Sequence, residues 1–143
     1  MTKSIDTDEI RRLAITHLFG RKAQEVTQVE LGDRSSICEW FVLASCQSEV
    51  QLQAILSGVR RDLRKAGIAA LRAEAVPGTH WGVLDFGSVI VHVFMRDARE
   101  YFALERLWMD APQQVLKAED YPLPSGTELT ETDTSEESEE TWQ

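Results

Sequence analysis

Apolar residues at helical spacing predict two long amphipathic helices. In the first helix the residues at helical spacing run from Ile10 to Leu18. Asp6 or Thr7 is its N-terminal cap, and Gly20 closes it. The second helix follows Ser48, which opens a capping-box pattern. Its apolar stripe is longer and consists of Leu52, Ile55, Leu56, Val59, Leu63 and Ala66. Each helix therefore has one face that must be buried against another layer.

Short runs of apolar residues predict strands between and after these helices. The run Trp40–Ala44 is continuously apolar, as expected for a buried strand. Glu25–Leu31 alternates weakly between apolar and polar residues, and Ile68–Val76 is a weaker candidate that Pro77 ends. These three segments predict part of a sheet.

The clearest pattern in the sequence predicts a β-hairpin followed by a helix. Trp81–Asp85 and Val89–Phe94 read as strands, and Phe86–Ser88 is a turn in which glycine is free to take a positive φ. The second strand is apolar on both faces, which suits a strand covered on both sides. Asp97 caps the helix that follows, and Pro112 ends it. The apolar side of that helix carries Tyr101, Leu104 and Trp108.

The predicted order of elements is α-β-β-α-β-β-β-α. Such an order indicates an α/β (α+β) protein with a mixed five-stranded sheet flanked by helices.

The formal net charge of −9 comes entirely from the C-terminal end. Residues 118–143 contain nine acidic residues and no Lys or Arg, whereas residues 1–117 contain 15 acidic and 15 basic residues. The sequence therefore predicts one domain over 1–117 and a disordered acidic tail over 118–143. The neutral domain argues against general or sequence-specific binding of nucleic acid.

We expect a cytoplasmic protein without a membrane span. No run approaches the roughly 18 apolar residues of a spanning helix, and the N-terminus lacks the apolar core of a secretory signal. Cys38 and Cys46 flank one predicted strand, which at about 3.3 Å per residue holds them roughly 26 Å apart. They are too distant to form a disulfide with each other, which fits a reducing compartment.

The candidate chemical groups favour ordinary structural roles. His80, Asp85 and His92 are metal-ligand types, but they lie on opposite sides of a turn or at opposite strand parity. A hydrogen-bonded core His92 and a turn-capping Asp85 are the stronger interpretations. The Ser35–Ser36 pair near Glu39 lacks a base placed by any local motif. We therefore predict no catalytic residues, no metal and no cofactor.

Two side-chain clusters indicate possible surfaces. A basic segment on the second long helix consists of Arg60, Arg61, Arg64 and Lys65. A solvated helix face, favourable near the helix C-terminus, explains it better than a nucleic-acid site. An aromatic cluster consists of Trp81, Tyr101, Phe102 and Trp108. Its spacing is equally consistent with a core and with a core that extends into a protein-binding hot spot.

Four segments resemble the ribosomal silencing factor (Iojap-like) family. Trp81–Phe94 is similar to its signature hairpin, and Arg99–Trp108 is similar to its closing helix. Asp33–Val42 resembles its first sheet motif, and Ser48–Gln51 resembles the start of its central helix. The resemblance covers roughly residues 8–112 in order.

The resemblance implies a nucleotidyltransferase-like fold without the catalytic carboxylates, often assembled as a homodimer. Members bind a large-subunit ribosomal protein on the subunit-joining face and block the small subunit, which represses translation in starvation or stationary phase. The implied partner-binding residues are Trp81, Asp85, Phe86, Tyr101, Leu104, Glu105 and Trp108.

The sequence departs from the family pattern in its first half, and two alternatives stay open. Glu39 stands where the family usually has Asp, and Cys46 and Ala75 stand where it has Gly. One alternative is an assembly factor for the large subunit. The other is a nucleotidyltransferase-like enzyme, which needs metal-binding carboxylates that are normally two residues apart on a strand. Glu39 has no second acid on its face.

Overall fold

The computed structural model describes residues 6–75 and 78–123 of the 143-residue chain. The helices are α1 (Thr7–Gly20), α2 (Glu49–Lys65), α3 (Arg96–Phe102) and α4 (Leu104–Leu107). The strands are β1 (Gln24–Glu30), β2 (Trp40–Cys46), β3 (Arg72–Ala75), β4 (Trp81–Asp85), β5 (Val89–Met95) and β6 (Gln113–Val115). Short 3₁₀ turns cover Gly32–Arg34 and Ala118–Asp120.

The strands form one mixed sheet in the order β3-β4-β5-β2-β1-β6. The central pair β2 and β5 is parallel, and the other neighbours are antiparallel. The predicted mixed sheet is confirmed, but within the described residues it has six strands instead of five. The sequence gives no apolar signal for β6, because two of its three residues are glutamines and all three are exposed. Its pairing with β1, in which Val29 lies opposite Gln113, makes it a strand.

The two long helices begin where their caps predict. Asp6 caps α1, and the Ser48 hydroxyl accepts a hydrogen bond from the Gln51 amide at 3.1 Å at the start of α2. At the C-terminal end of α1, Arg21 donates two hydrogen bonds to Asp62 of α2, at 2.8 and 3.1 Å, and so ties the two helices together. Burial alone would raise the pKa of Asp62, but hydrogen bonds from His17 and Arg21 outweigh burial and lower it.

Both faces of the sheet are covered by apolar side chains. On β5, Val91 and Val93 belong to the core that lies beneath α1 and α2. His92 and Phe94 point to the opposite side, where side chains of α3, α4 and the turn after α4 pack. The period of two along β5 therefore separates a helix-facing core from a second apolar layer. Three of the predicted partner-binding residues, Trp81, Leu104 and Trp108, pack against that second layer.

The hairpin between β4 and β5 is confirmed as predicted. Gly87 has a φ of +91°, and its amide donates a hydrogen bond to Asp85 Oδ1 at 2.8 Å. Asp85 thus caps the turn. In β4, a Cβ added to Gly82 would lie 2.1 Å from Leu56 Cδ1, so the absence of a side chain lets α2 approach the strand closely.

The predicted continuous final helix is wrong. Ala103 adopts a left-handed conformation, with a φ of +46°, and divides the segment into α3 and the single turn α4. Asp97 does not cap this segment, because the helix begins at Arg96 and Asp97 lies in its first turn. Pro112 directly precedes β6 instead of ending the helix, which stops at Leu107. The weak strand expected from residue 68 begins only at Arg72.

The described chain continues past the predicted domain boundary at residue 117. Beyond it, Tyr121 packs on Phe19 of α1, with ring centroids 6.1 Å apart. Residues 124–143, most of the predicted acidic tail, lie outside the described residues. Of the described helices, none is long and apolar enough to cross a membrane.

Candidate protein-binding surface

The Trp81 side chain is the centre of the second apolar layer. Its indole Nε1 donates a hydrogen bond to His92 Nδ1 at 3.2 Å. Its ring stacks on Phe94, with centroids 5.1 Å apart, and meets Phe102 of α3 at 4.8 Å. Trp81 is half-buried. It therefore joins the hairpin to α3, and a substitution there affects both the packing and any surface built on it.

His92 is a neutral core histidine. It is 7% exposed, and burial lowers its pKa to about 4 because the charged form loses its hydration. Since Nδ1 accepts from Trp81, the proton of the neutral ring lies on Nε2. The ring meets Phe41 edge-on, with centroids 4.6 Å apart and an interplanar angle of 77°. The predicted hydrogen-bonded core role of His92 is confirmed.

An apolar patch lies on α3, α4 and the turn that follows them. We define the patch as Tyr101, Phe102, Leu104, Leu107, Trp108 and Met109. Three of these side chains are largely exposed: Tyr101 at 82%, Leu107 at 71% and Met109 at 78%. Leu104 and Trp108 are half-buried and pack against the second apolar layer. Several large exposed apolar side chains within nine residues are typical of a protein-binding site.

Arg99 fixes the position of this segment on the sheet. Its guanidinium is 12% exposed and lies 2.8 Å from a Glu105 carboxylate oxygen. It also donates hydrogen bonds to the Ser45 hydroxyl on β2 at 2.8 Å and to the Glu25 carbonyl on β1 at 2.7 Å. The guanidinium thereby joins two strands to α4.

The backbone break at Ala103 makes this contact possible. On a continuous helix, two residues six positions apart are related by a rotation of roughly 240° about the helix axis. Glu105 would then face away from Arg99. The left-handed residue turns α4 back, so that the carboxylate meets the guanidinium. Alanine carries no sequence signal for this conformation, so the sequence predicts a continuous helix here.

His80 ties the entry of the hairpin to the start of α3. Its Nδ1 lies 2.9 Å from Asp97 Oδ2, and this hydrogen bond lowers the pKa of Asp97. His80 itself has a φ of +59°. Within residues 6–75 and 78–123, no three His, Cys, Asp or Glu side chains form a group that could hold a metal ion.

The structure brings together only part of the predicted set of partner-binding residues. Trp81, Leu104 and Trp108 share the second apolar layer, and Tyr101 extends it outward. Phe86, in contrast, is 6% exposed and packs in the core beneath α1 and α2.

The two predicted acidic contact residues already have basic neighbours. Asp85 lies on the same face of the sheet as Trp81, at the end of β4 next to the turn, and its Oδ2 is 3.8 Å from the Arg72 guanidinium. Glu105 is paired with Arg99. Sequence reasoning did not include Leu107 and Met109 among the contact residues. In the structure Leu107, at the end of α4, is 71% exposed, and Met109, in the turn that follows, is 78% exposed.

A polar cavity of about 390 Å³ lies beside α3, lined by three arginines and three glutamates together with Ser45 and Ala103. Its charges are largely paired, because Arg96 lies 3.5 Å from Glu25 and Arg99 contacts Glu105. This arrangement offers no group of adjacent carboxylates. Glu39, the acid considered for a nucleotidyltransferase, instead accepts a hydrogen bond from the Thr7 hydroxyl at 3.0 Å.

Comparison with known proteins decides the family. The model of the family described as "ribosomal silencing factor during starvation" matches residues 4–143, a longer span than the motifs alone suggest. The chain belongs to the ribosomal silencing factor family. This family name describes a regulator associated with the ribosome and not an enzyme, in agreement with the sequence-based prediction.

Individual relatives agree with this assignment. The chain is 34% identical over 108 residues to the ribosomal silencing factor RsfS of Halalkalibacterium halodurans, covering 76% of this chain and 92% of the relative. A crystal structure of a Chromobacterium violaceum protein matches with a TM-score of 0.70 and 28% identity, covering 73% of this chain and 88% of that one. A more distant relative, 23% identical over 99 residues, is the mouse mitochondrial assembly of ribosomal large subunit protein 1 (67% of this chain, 43% of the relative).

Proposed function

We propose that this protein binds a ribosomal protein on the joining face of the large subunit and thereby blocks association with the small subunit. The observation that carries the proposal is the exposed apolar patch, in a chain whose family is named for silencing ribosomes. Bound there, a domain of this size would repress translation by occupying the space that the small subunit needs.

The patch supplies the features of a binding hot spot. Tyr101 offers an aromatic anchor that is 82% exposed, and its ring packs edge-on against Phe102 at 5.1 Å. Half-buried Trp81 and Trp108 support this surface from the sheet. Such rigid aromatic anchors dominate the energy of many interfaces. Because Asp85 and Glu105 already have Arg neighbours, we assign the affinity to apolar area and not to these two acids.

The proposal includes a cytoplasmic location and a homodimer. Cys38 and Cys46 are both free and buried, consistent with a reducing compartment. The strands β3 and β6 are the edges of the described sheet, and an edge strand is a common site for association with a second copy.

A second candidate is a role in assembly of the large subunit. The observation in its favour is the name of the mouse relative, which describes assembly of the mitochondrial large subunit. The same apolar patch would then bind a precursor instead of the mature particle.

Sedimentation of the purified protein with isolated ribosomal subunits tests the proposal. We expect the protein to sediment with mature large subunits and not with small subunits. Binding to small subunits, or to neither, would contradict it. Binding to large-subunit precursors but not to mature large subunits would support the assembly role instead.

A further inference from the structure

We infer that the β6 edge of the sheet is an interface for a second copy of this chain, in which the two β6 strands pair antiparallel about a two-fold axis at Gln114. The sheets of the two copies then form one continuous sheet. This contact rests on the homodimer that the proposed function includes, and it names the surface and the register of that homodimer.

The backbone groups of two β6 residues point away from the sheet. The Pro112 carbonyl and the Leu116 amide are hydrogen-bonded to β1, at 2.9 and 2.8 Å. Because residues of an antiparallel strand face their neighbour alternately, Gln114 also faces β1, whereas Gln113 and Val115 face outward. Their amides and carbonyls lie at the edge of the described sheet, where another strand can pair with them.

The side chains of β6 do not protect this edge. The opposite edge of the described sheet, β3, carries Arg72 and Glu74, which are both exposed. Charged side chains of this kind keep an edge strand from pairing with other chains. The residues of β6 are Gln-Gln-Val, which carry no charge, and Val115 is 72% exposed. Of the two edges, β6 is therefore the one that is open to strand pairing.

A two-fold axis at Gln114 makes this edge complementary to itself. It places Gln113 of each copy opposite Val115 of the other, so the outward amides and carbonyls of both residues form hydrogen bonds. Residues 112–116 contain no charged side chain, so the pairing brings no like charges together along the strand. The same residues meet in both copies, as a two-fold interface requires.

The pairing also buries the exposed Val115 side chain. Gln113 lies opposite Val29 of β1, and Val115 has the same parity, so both side chains are on the sheet face of the second apolar layer. On that face a depression of about 490 Å³ borders β6, lined by Glu105, Arg106, Met109, Ala111 and Gln113. Because Val115 of the second copy lies opposite Gln113, its side chain enters this depression beside Met109. Each copy supplies one valine and one depression.

The short strand predicts a weak dimer. β6 has three residues, and a contact of this size falls below the roughly 1,200 Å² that stable complexes bury. The protein should therefore exchange between monomer and dimer. Met109 also belongs to the apolar patch, so a second copy at β6 covers one margin of that patch.

Disulfide trapping of Gln114→Cys in the full-length chain tests the register. Residues that face each other across an antiparallel pair without bonding to each other have Cα atoms about 4.5 Å apart, within the range of a disulfide. Burial raises the pKa of the native Cys38 and Cys46 thiols to about 11, so they react slowly. We expect Gln114→Cys to form a covalent dimer under mild oxidation.

Two single-cysteine variants are matched controls. In Val115→Cys the cysteines of the two copies are diagonal neighbours about 7–8 Å apart, too distant for a disulfide. Glu74→Cys puts an exposed cysteine on the β3 edge. Both variants should stay mostly monomeric.

A charge at the depression should prevent the contact without unfolding the chain. Val115→Lys changes an exposed side chain and brings its charge towards Arg106 of the second copy. Gln114→Cys/Val115→Lys should therefore cross-link at least about tenfold more slowly than Gln114→Cys. Thermal unfolding shows that the variants are folded, and sedimentation equilibrium of Val115→Lys beside the unaltered chain should show a correspondingly weaker dimer.

Three results would overturn the inference. One is cross-linking of Gln114→Cys no faster than that of Glu74→Cys or Val115→Cys, and another is cross-linking that persists in the folded Val115→Lys background. The third is an unaltered chain that dimerises while Gln114→Cys does not cross-link, which would place the dimer on another surface. Each of these results leaves the blocking of subunit joining in place, because variants of the apolar patch test that function with isolated subunits.

Discussion

At the scale of single residues, the structure divides the predicted contact residues into supporting and exposed groups. Trp81 holds His92, Phe94 and Phe102 together and is half-buried, whereas Tyr101 is 82% exposed and contacts Phe102 from outside. Spacing alone could not separate the two, because both are aromatic residues in a predicted apolar cluster. Only the position of each ring relative to the sheet shows which one a partner can reach.

This division predicts different effects for the two aromatic residues. Trp81→Ala should lower the free energy of unfolding by about 3–5 kcal/mol, because it removes a large ring and leaves a cavity. Tyr101→Ala should change it by less than about 0.5 kcal/mol. Chemical denaturation of both variants checks this. A stable Trp81→Ala variant would show that the indole contributes little to the core.

A second prediction at this scale concerns pH. The pKa of His92 is lowered to about 4 in the folded state, so between about pH 6.5 and pH 4 the unfolded chain binds a proton that the folded chain does not. The free energy of unfolding should therefore be highest above about pH 6.5 and fall as the pH is lowered. At pH 5 it should be roughly 2 kcal/mol below its value at high pH.

Denaturation at pH 7 and pH 5, with His92→Gln as control, measures the effect. Glutamine keeps an acceptor for the Trp81 indole but does not titrate, so the variant should lose about 2 kcal/mol less between the two pH values. The lowered pKa of Asp62 acts only near and below the usual carboxyl range, outside this window. An identical pH dependence of the two proteins would contradict the neutral core role of His92.

At the scale of elements, the sequence predicted the regular parts of the fold and missed the irregular ones. The caps of α1 and α2 and the Asp85–Gly87 turn have local chemistry that is readable from residue types. The break at Ala103 is different, because it is stabilised by a long-range contact of Arg99 with two strands and Glu105. The strand β6 likewise exists because of its partner β1, and its own residues carry no apolar pattern.

The Arg99–Glu105 contact should therefore hold the apolar patch in place. Glu105→Gln removes the negative charge beside a guanidinium that is 12% exposed, and we expect a loss of roughly 1–2 kcal/mol, below that of a fully buried pair because Glu105 is 30% exposed. Glu100→Gln, the same change at an exposed position of α3, is the matched control and should have little effect. If the two variants were equally stable, the Arg99–Glu105 contact would not be what holds the apolar patch in place.

At the scale of the whole molecule, the sheet separates two surfaces of different character. One side carries α1 and α2, with the basic segment at the end of α2, and the other carries the apolar patch on α3 and α4. Charge composition predicted an acidic tail and a neutral domain. It did not predict which side of the sheet carries the basic segment and which side carries the apolar patch. That information comes from the strand order and from the parity of β5, which a single sequence does not reveal.

The central claim is that the apolar patch prevents the ribosomal subunits from joining. The most direct measurement is a reassociation gradient of isolated large and small subunits with three proteins: the unaltered chain, Tyr101→Ala/Leu107→Ser, and Val50→Ser. Val50 is 81% exposed on α2, away from the patch, and controls for the loss of exposed apolar area. Thermal unfolding first establishes that all three are folded.

We expect the unaltered chain and Val50→Ser to keep the subunits apart, and the double variant to let them join. Loss of two exposed hot-spot contacts at about 2 kcal/mol each corresponds to roughly a thousandfold weaker binding. A folded double variant that still blocks joining would contradict the account.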